Sequence, residues 1–171
     1  IKDVMGPCRD ANGRIVPNRR FPNMKALADY VHGVGLKIGL YSSPGPTTCG
    51  GCEASWKHEM QDAQSSAEWG FDYLQYDWCS YGQVVNAKTV EDFKKPYVLM
   101  NQCLRAQGRD IFFAFCQYGM GHVAEWGEAA GGTCWRTKGD LKASCTCLIN
   151  ATPTEADDWK YARPGCWNDP D

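Results

Sequence analysis

The sequence has few of the features that are typical of membrane or nucleic-acid-binding proteins. Its 171 residues include 18 Lys and Arg against 20 Asp and Glu, so the formal net charge is only −2. A balanced charge gives no electrostatic basis for binding nucleic acid or an anionic membrane surface. No apolar run approaches the roughly 18–20 residues that a membrane-spanning helix requires. We therefore expect no nucleic-acid partner and no membrane partner.

Two common site motifs are also missing. No G-x-G-x-x-G follows a predicted strand, which argues against a dinucleotide site. The motif CGGC, at Cys49 and Cys52, has the spacing of metal ligands, but no second C-x-x-C follows and the three histidines are scattered. These absences weaken the case for a nucleotide site and for a metal site, with a cysteine-rich zinc module kept as an alternative.

Cysteine itself is abundant, with ten residues in a chain of this length. In an oxidising compartment such a number indicates disulfides, whereas in a reducing compartment it suggests metal sites. We favour disulfides and expect a secreted, periplasmic or lysosomal protein. The triplet NAT at Asn150 would accept a glycan in a eukaryotic secretory pathway, although such triplets often occur by chance.

Three continuous apolar segments predict buried parallel strands, because such strands are covered on both faces. They are LKIGLYSS (36–43), FDYLQYD (71–77) and DIFFAFCQYG (110–119), and shorter candidates occur in TCWRT and GCWND. Helical periodicity separates them in NMKALADYVHGVG, EASWKHEMQDAQSSAEWG and PYVLMNQCLRAQG. In the second helix, Met60 lies on the predicted buried stripe. In the third, Pro96 is predicted at the first helical position.

The alternation of helix and strand indicates an α/β fold with a parallel sheet and right-handed crossovers. A (β/α)₈ barrel and a doubly wound sheet both satisfy this pattern. A complete barrel needs roughly 250 residues. The shorter chain is therefore expected to be an interior piece of a barrel.

Acidic, amide and aromatic residues follow the predicted strands, where barrel enzymes place their functional groups. Carboxylates and amides bind sugar hydroxyls, and two carboxylates in different environments suffice for glycoside hydrolysis. The residues at these strand ends are Tyr41, Ser42, Ser43, Asp77, Trp78, Cys79, Cys116, Gln117, Tyr118, Arg136, Asp140, Trp167, Asp169 and Asp171.

Each of these residues also has a structural interpretation. Asp77 and Asp140 could cap helices or pair with cations, and Arg136 could pair with a surface acid. Trp167 could be a core residue, and Asp171 could help to build the turn around Pro170. The repeated position at strand ends favours a sugar site over these explanations.

Four segments carry a resemblance to a known family. RFPNMKALADYVHGVGLKIGLYSSPGPTTC, DAQSSAEWGFDYLQYDWC, WRTKGD and WNDPD resemble glycoside hydrolase family 27, the retaining α-galactosidases and α-N-acetylgalactosaminidases. The resemblance implies a partial (β/α)₈ barrel in which residues 1–171 supply roughly strands three to seven. On this interpretation the first two strands, the eighth strand and the family's C-terminal β-domain are absent.

The resemblance also implies roles for single residues. Asp77 falls on the family's nucleophile, and Asp140 falls on its acid/base. The implied substrate-binding residues are Tyr41, Gln75, Gln117, Arg136, Trp167 and Asp171. The implied disulfides are Cys49–Cys79 and Cys116–Cys134, although Cys134 lies two positions later than in the animal enzymes.

Three departures from the family pattern concern the site. Gln75 replaces the lysine two residues before the nucleophile, so a donor is kept and a positive charge is lost. Gln117 replaces an acidic sugar ligand. Ile1 and Lys2 align near the paired aspartates that bind galactose hydroxyls, and neither residue can do that.

The resemblance therefore implies an α-galactosidase that cleaves terminal α-galactosides of oligosaccharides or glycoconjugates by double displacement. This mechanism needs no metal and no organic cofactor. A homodimer is left open for the intact protein. The isolated 171 residues are expected to be inactive. Alternatives within the family are α-N-acetylgalactosaminidase and β-L-arabinopyranosidase. A degenerate or truncated carbohydrate-binding chain without catalysis is the alternative outside the enzyme class.

Overall fold

A computed structural model describes residues 8–151 and 158–171, without the side chains of Asn150 and Ala151. Its five strands are β1 (Gly39–Ser42), β2 (Tyr73–Asp77), β3 (Phe112–Cys116), β4 (Cys134–Arg136) and β5 (Trp167–Asp169). They form one parallel sheet in chain order, which confirms the predicted α/β class. The helices are α1 (Met24–Gly33), α2 (Glu59–Trp69), α3 (Val90–Arg105), α4 (Val123–Trp126) and α5 (Cys145–Ala151). Within the described residues, no helix has the length and hydropathy to span a bilayer.

The strand register assigns the side chains to two faces. Tyr76 pairs with Phe115, which pairs with Trp135, and these three buried residues contribute to the hydrophobic core. Because side chains alternate along a strand, the residues between them point to the opposite face. That opposite face, called the concave face below, is the one on which the candidate site lies.

The core is mainly aromatic on the helix-covered side of the sheet. Tyr97 of α3 is fully buried, its ring centroid lies 4.3 Å from that of Phe115, and Met100 and Leu104 follow it into the core. This agrees with the helical periodicity of PYVLMNQCLRAQG, in which these three residues are in phase. Burial of these large side chains, at about 1.5–3 kcal/mol each, holds α3 against the sheet.

Two details of the helices differ from the sequence predictions. Helix α3 begins at Val90 rather than Pro96, because Thr89 and Asp92 form a capping box that satisfies the first backbone N–H groups. Pro96 therefore lies inside the helix, where it removes one hydrogen bond. Met60 is 49 % exposed, because α2 packs through small residues such as Ala63 and Ser66.

A buried ion pair attaches the loop before α1 to α2. Arg9 Nη1 and Nη2 donate to the two carboxylate oxygens of Asp62 at 2.6 and 2.9 Å, and Nε donates to Glu53 at 3.1 Å. The same guanidinium donates to the carbonyls of Gly13 and Ala54. Burial would lower the pKa of Arg9, but the hydrogen bonds and negative charges of Asp62 and Glu53 outweigh it and raise the pKa. Arg9 is therefore a fully charged cross-link between segments that are distant in sequence.

Removing this cross-link should destabilise the protein. We expect Arg9→Ala to lower the free energy of unfolding by about 3–5 kcal/mol, because it leaves Asp62 buried and unpaired. Arg14→Ala is a matched control, since Arg14 pairs with the exposed Glu68 and such pairs contribute about 0–1 kcal/mol. Urea denaturation of the full-length variants measures both values. Equal losses in the two variants would contradict this account of Arg9.

Candidate active site

Asp77 is the last residue of β2, and its carboxylate is held by two tyrosines. It is only 7 % exposed. Tyr41 donates a hydrogen bond of 2.6 Å to Oδ2, and Tyr118 donates one of 2.7 Å to Oδ1. Hydrogen bonds to a charged acceptor are strong, so the two hydroxyls compensate for the lost hydration. A carboxylate is thus fixed in position at the carboxyl end of the sheet.

The two tyrosines remain protonated donors. Burial raises the pKa of the Tyr41 hydroxyl, and the hydrogen bond to Asp77 raises it further. The pKa of Tyr118 is raised by the same two causes in the same order. Both groups therefore donate to Asp77 throughout the physiological pH range.

A second carboxylate, just before the other end of β2, is held in a different way. Asp72 accepts hydrogen bonds from Arg109, Lys37 and the ring of His32. Burial opposes its ionisation, but the hydrogen bonds from His32, the Ile38 N–H and Lys37 lower its pKa well below the usual range. In barrel enzymes the functional residues lie at the carboxyl ends of the strands, and the amino ends contribute to stability. We therefore attribute the cationic partners of Asp72 to the stability of the fold.

Tyr118 connects Asp77 to the neighbouring guanidinium. Its backbone has φ of 62°, a left-handed conformation that a tyrosine rarely adopts. The guanidinium carbon of Arg136 lies 5.2 Å from the centre of the Tyr118 ring, within the range of a cation–π contact. Uncommon backbone conformations of this kind concentrate at functional sites.

Arg136, at the end of β4, holds two acidic side chains. Nη1 donates to Asp140 Oδ1 at 2.8 Å, and Nη2 lies 2.9 Å from Asp171 Oδ1. Burial would lower the pKa of Arg136, but its hydrogen bonds to Asp140 and Cys116 outweigh it and raise the pKa. The side chain of Asp140 is 74 % exposed, so this carboxyl group is open to a ligand while Arg136 holds it.

The predicted disulfide Cys49–Cys79 is present, with a Cα–Cα distance of 5.1 Å. It lies beside Asp77, whose Oδ2 is 3.8 Å from Cys49 Sγ. Hydrogen bonds join the same two loops independently of the disulfide: Ser80 Oγ donates to Thr47 O at 2.6 Å and accepts from Thr47 N at 2.9 Å. The loop after β2 is therefore attached to the loop after β1 both covalently and non-covalently.

The second predicted disulfide, Cys116–Cys134, is wrong for this structure, in which both residues are free thiols. The register pairs Cys134 with Ala114 rather than with Cys116. Two residues of strand rise and one strand spacing separate the Cα atoms by about 8 Å. That exceeds the roughly 7 Å that a disulfide can span. Cys116 instead accepts a hydrogen bond of 3.3 Å from Arg136. Burial raises its thiol pKa to about 11.

The remaining predicted contacts divide into two groups. Gln75 is paired with Tyr41 in the strand register, and the same row of paired residues across the sheet ends at Trp167. Gln75 and Trp167 therefore both lie on the concave face, below Asp77. Gln117 is different, because it is 0 % exposed and neither amide atom has a hydrogen-bond partner among the described residues. A side chain so enclosed is not accessible to a bound sugar in this structure.

The structure does not describe three further side chains that the sequence analysis named. Ile1 and Lys2, which align near the family's paired aspartates, lie outside the described residues, and the Asn150 side chain is not described. Tyr118, in contrast, is a site residue that the sequence placed among the strand-end residues without a specific role. Its position directly after a predicted strand is the signal that points to it.

Sequence comparison gives a family and several named relatives. A profile described as "Alpha galactosidase A" matches residues 1–171. An "Alpha-galactosidase A" of Cellvibrio japonicus is 40 % identical over 184 residues, which cover 100 % of this chain and 44 % of the relative. An "Alpha-galactosidase" of Oryza sativa subsp. japonica is 42 % identical over 168 residues, which cover 95 % and 38 %. The chain thus spans less than half the length of these curated relatives.

Comparison with solved structures supports the same family and gives the fold. The α-galactosidase of Saccharomyces cerevisiae matches with a TM-score of 0.87 and 30 % identity, over 99 % of this chain and 42 % of that chain. α-Galactosidase I of Mortierella vinacea matches with a TM-score of 0.86 and 29 % identity, over 95 % and 46 %. The five-stranded sheet corresponds to part of the barrel in these enzymes, as the sequence predicted. The chain therefore belongs to glycoside hydrolase family 27, the α-galactosidase A family.

Proposed function

We propose that the protein containing this chain is a retaining α-galactosidase that removes terminal α-D-galactosyl residues. The observation that carries the proposal is Asp77, a carboxylate whose two oxygens are held by Tyr41 and Tyr118. Arg136, which contacts the Tyr118 ring, positions a second carboxyl group, Asp140. Two carboxyl groups in unlike environments are the basic requirement of this chemistry.

Asp77 acts as the nucleophile. The ionised carboxylate attacks the anomeric carbon, the bond from that carbon to the leaving oxygen breaks, and a glycosyl ester forms. Tyr41 and Tyr118 fix the carboxylate before attack, which lowers the entropic part of the barrier. The attacking oxygen exchanges its hydroxyl partner for the anomeric carbon, while the other oxygen keeps its hydrogen bond.

Asp140 acts as acid and then as base. In the first step its carboxyl proton goes to the leaving oxygen. In the second step Asp140 accepts a proton from water, which attacks the anomeric carbon and displaces Asp77. Two inversions at one carbon give overall retention, and the carboxyl groups of such enzymes lie about 5–5.5 Å apart. The exposed position of Asp140 supports this role, because both leaving group and water must reach it.

The substrate is inferred from the relatives. Their names give α-galactosidase activity, and the S. cerevisiae enzyme has a structure with raffinose. A β-L-arabinopyranosidase of Geobacillus stearothermophilus shares the fold at 17 % identity, which supports the architecture and no substrate. Gln75, Arg136 and Asp171 are proposed contacts to the sugar hydroxyls, with Trp167 lower on the concave face. The disulfide supports an oxidising compartment, which we take to be secreted, periplasmic or lysosomal.

The test is hydrolysis of p-nitrophenyl α-D-galactoside by the full-length protein, followed by NMR. We expect α-galactose as the first product, because double displacement retains configuration. The α-N-acetylgalactosaminide and β-L-arabinopyranoside should react at least about tenfold more slowly, and the β-galactoside is the negative control. First appearance of β-galactose would overturn the mechanism. Faster cleavage of another glycoside would overturn the substrate assignment.

A further inference from the structure

Three potential metal ligands converge at the edge of the site. Sγ of Cys49, Sγ of Cys79 and a carboxylate oxygen of Asp77 all lie within 4.8 Å of one another. The two sulfurs are bonded to each other in this structure and cannot bind a cation in that state. Once separated as thiolates, they and Asp77 would supply two sulfur ligands and one oxygen ligand, types that zinc accepts, and the two thiolates suit soft cations such as cadmium.

We propose that reduction of the Cys49–Cys79 disulfide converts this corner into a site for a soft divalent cation, Zn²⁺ or Cd²⁺, and that the cation blocks the nucleophile. The cation-binding part depends only on the three ligands. The blocking part rests on the proposed function, because it requires that Asp77 attacks the substrate.

One of the three distances between the ligand atoms already suits such a cation. Cys49 Sγ lies 3.8 Å from Asp77 Oδ2. For Zn–S near 2.3 Å and Zn–O near 2.1 Å, a tetrahedral angle places sulfur and oxygen about 3.6 Å apart. The two sulfurs must separate to about 3.8 Å, which rotation of the cysteine side chains allows. Three protein ligands leave the fourth position to water, which is the pattern of exchangeable rather than structural sites.

The loops should hold these ligands together after reduction. Ser80 Oγ donates to Thr47 O and accepts from Thr47 N. Ser43 Oγ also donates to the Cys79 carbonyl. A Cβ at Gly45 would lie only 2.5 Å from that carbonyl oxygen, so the two backbones are closely packed. Four contacts that do not involve the disulfide therefore keep the thiols near Asp77.

The chemistry needs only a reductant and a cation. Cys49 is exposed, so a water-soluble phosphine can reach the bond, whereas Cys79 is buried. The phosphine supplies two electrons and becomes a phosphine oxide with the oxygen of one water, and each sulfur leaves as a thiol with one proton of that water. Cation binding then displaces both thiol protons.

Cadmium binding to the full-length protein tests the site directly, because thiolate–cadmium charge transfer absorbs in the ultraviolet. Phosphine-treated wild type should bind one more Cd²⁺ per chain than the untreated protein. It should also bind one more than phosphine-treated Cys49→Ser, and Asp77→Asn should weaken this site at least about tenfold. Cys145→Ser controls for an exposed thiol elsewhere and should behave as wild type. Equal binding by reduced wild type and Cys49→Ser would overturn the proposal.

Activity tests the blocking part separately. In reduced wild type, Zn²⁺ should lower α-galactosidase activity at least about tenfold and EDTA should restore it, whereas the untreated enzyme should be insensitive. Unchanged activity at saturating Zn²⁺ would overturn the blocking. A protein that binds Cd²⁺ as described but hydrolyses no glycoside would refute the proposed function and leave the cation site standing.

Discussion

Asp77→Ala in the full-length protein should lower kcat for p-nitrophenyl α-D-galactoside by on the order of 10⁴-fold or more. The carboxylate supplies the bond that replaces the departing aglycone, and neither Tyr41 nor Tyr118 can do so while its hydroxyl remains protonated. Asp110→Asn is the control, because Asp110 is exposed and lies before β3 at the opposite end of the sheet. Full activity of Asp77→Ala would show that the nucleophile lies elsewhere.

Azide distinguishes a lost nucleophile from a damaged fold. Removal of the Asp77 side chain opens space beside the anomeric carbon, which azide can fill. Azide then displaces the aglycone in one step, with Asp140 still available as acid, so the expected product is β-galactosyl azide. Formation of the α-azide would contradict the assignment of Asp77, because it requires a second displacement.

Asp140→Ala should lower kcat by roughly 10²–10⁴-fold, with a strong dependence on the leaving group. p-Nitrophenolate leaves with little protonation, whereas the sugar alkoxide of raffinose requires it. We therefore expect a much larger loss for raffinose than for the aryl galactoside. The kinetic comparison of these two substrates measures proton donation by Asp140 more directly than either rate alone.

The second half of the reaction gives an independent check on Asp140. Without a base the glycosyl ester on Asp77 should accumulate, so a burst of p-nitrophenol should precede slow turnover. Azide needs no base and should release the ester as α-galactosyl azide, the opposite anomer from that of Asp77→Ala. Equal losses for raffinose and the aryl galactoside, with no burst, would show that Asp140 is not the acid/base.

Strand positions were predictable from the sequence because buried parallel strands leave a local signal. FDYLQYD and DIFFAFCQYG contain β2 and β3. The start of α3 was less predictable, because Pro96 is compatible with both the first turn and, at a cost, the interior. The capping box of Thr89 and Asp92 decided the outcome. Such competition between local signals is resolved only by hydrogen bonds that form in the folded chain.

The site was predictable where it depends on position along a strand and unpredictable where it depends on contacts across strands. Asp77 could be placed at a strand end from sequence alone. The role of Tyr118 requires its left-handed backbone and the approach of Arg136, and neither leaves a mark in the sequence. The error for Cys116 and Cys134 has the same origin, because register determines whether two cysteines can meet.

The Cys49–Cys79 disulfide also has a consequence for folding. The two cysteines are 30 positions apart in the sequence, and the segment between them includes all of α2 and β2. In the chain-entropy treatment, closing a loop of this size removes roughly 3.5 kcal/mol of denatured-state freedom. Parallel strands are slow to pair because a long crossover must close first. Once oxidised, an unfolded chain already has the carboxyl ends of β1 and β2 tethered, so the first strand pair of this sheet becomes a nearly local contact.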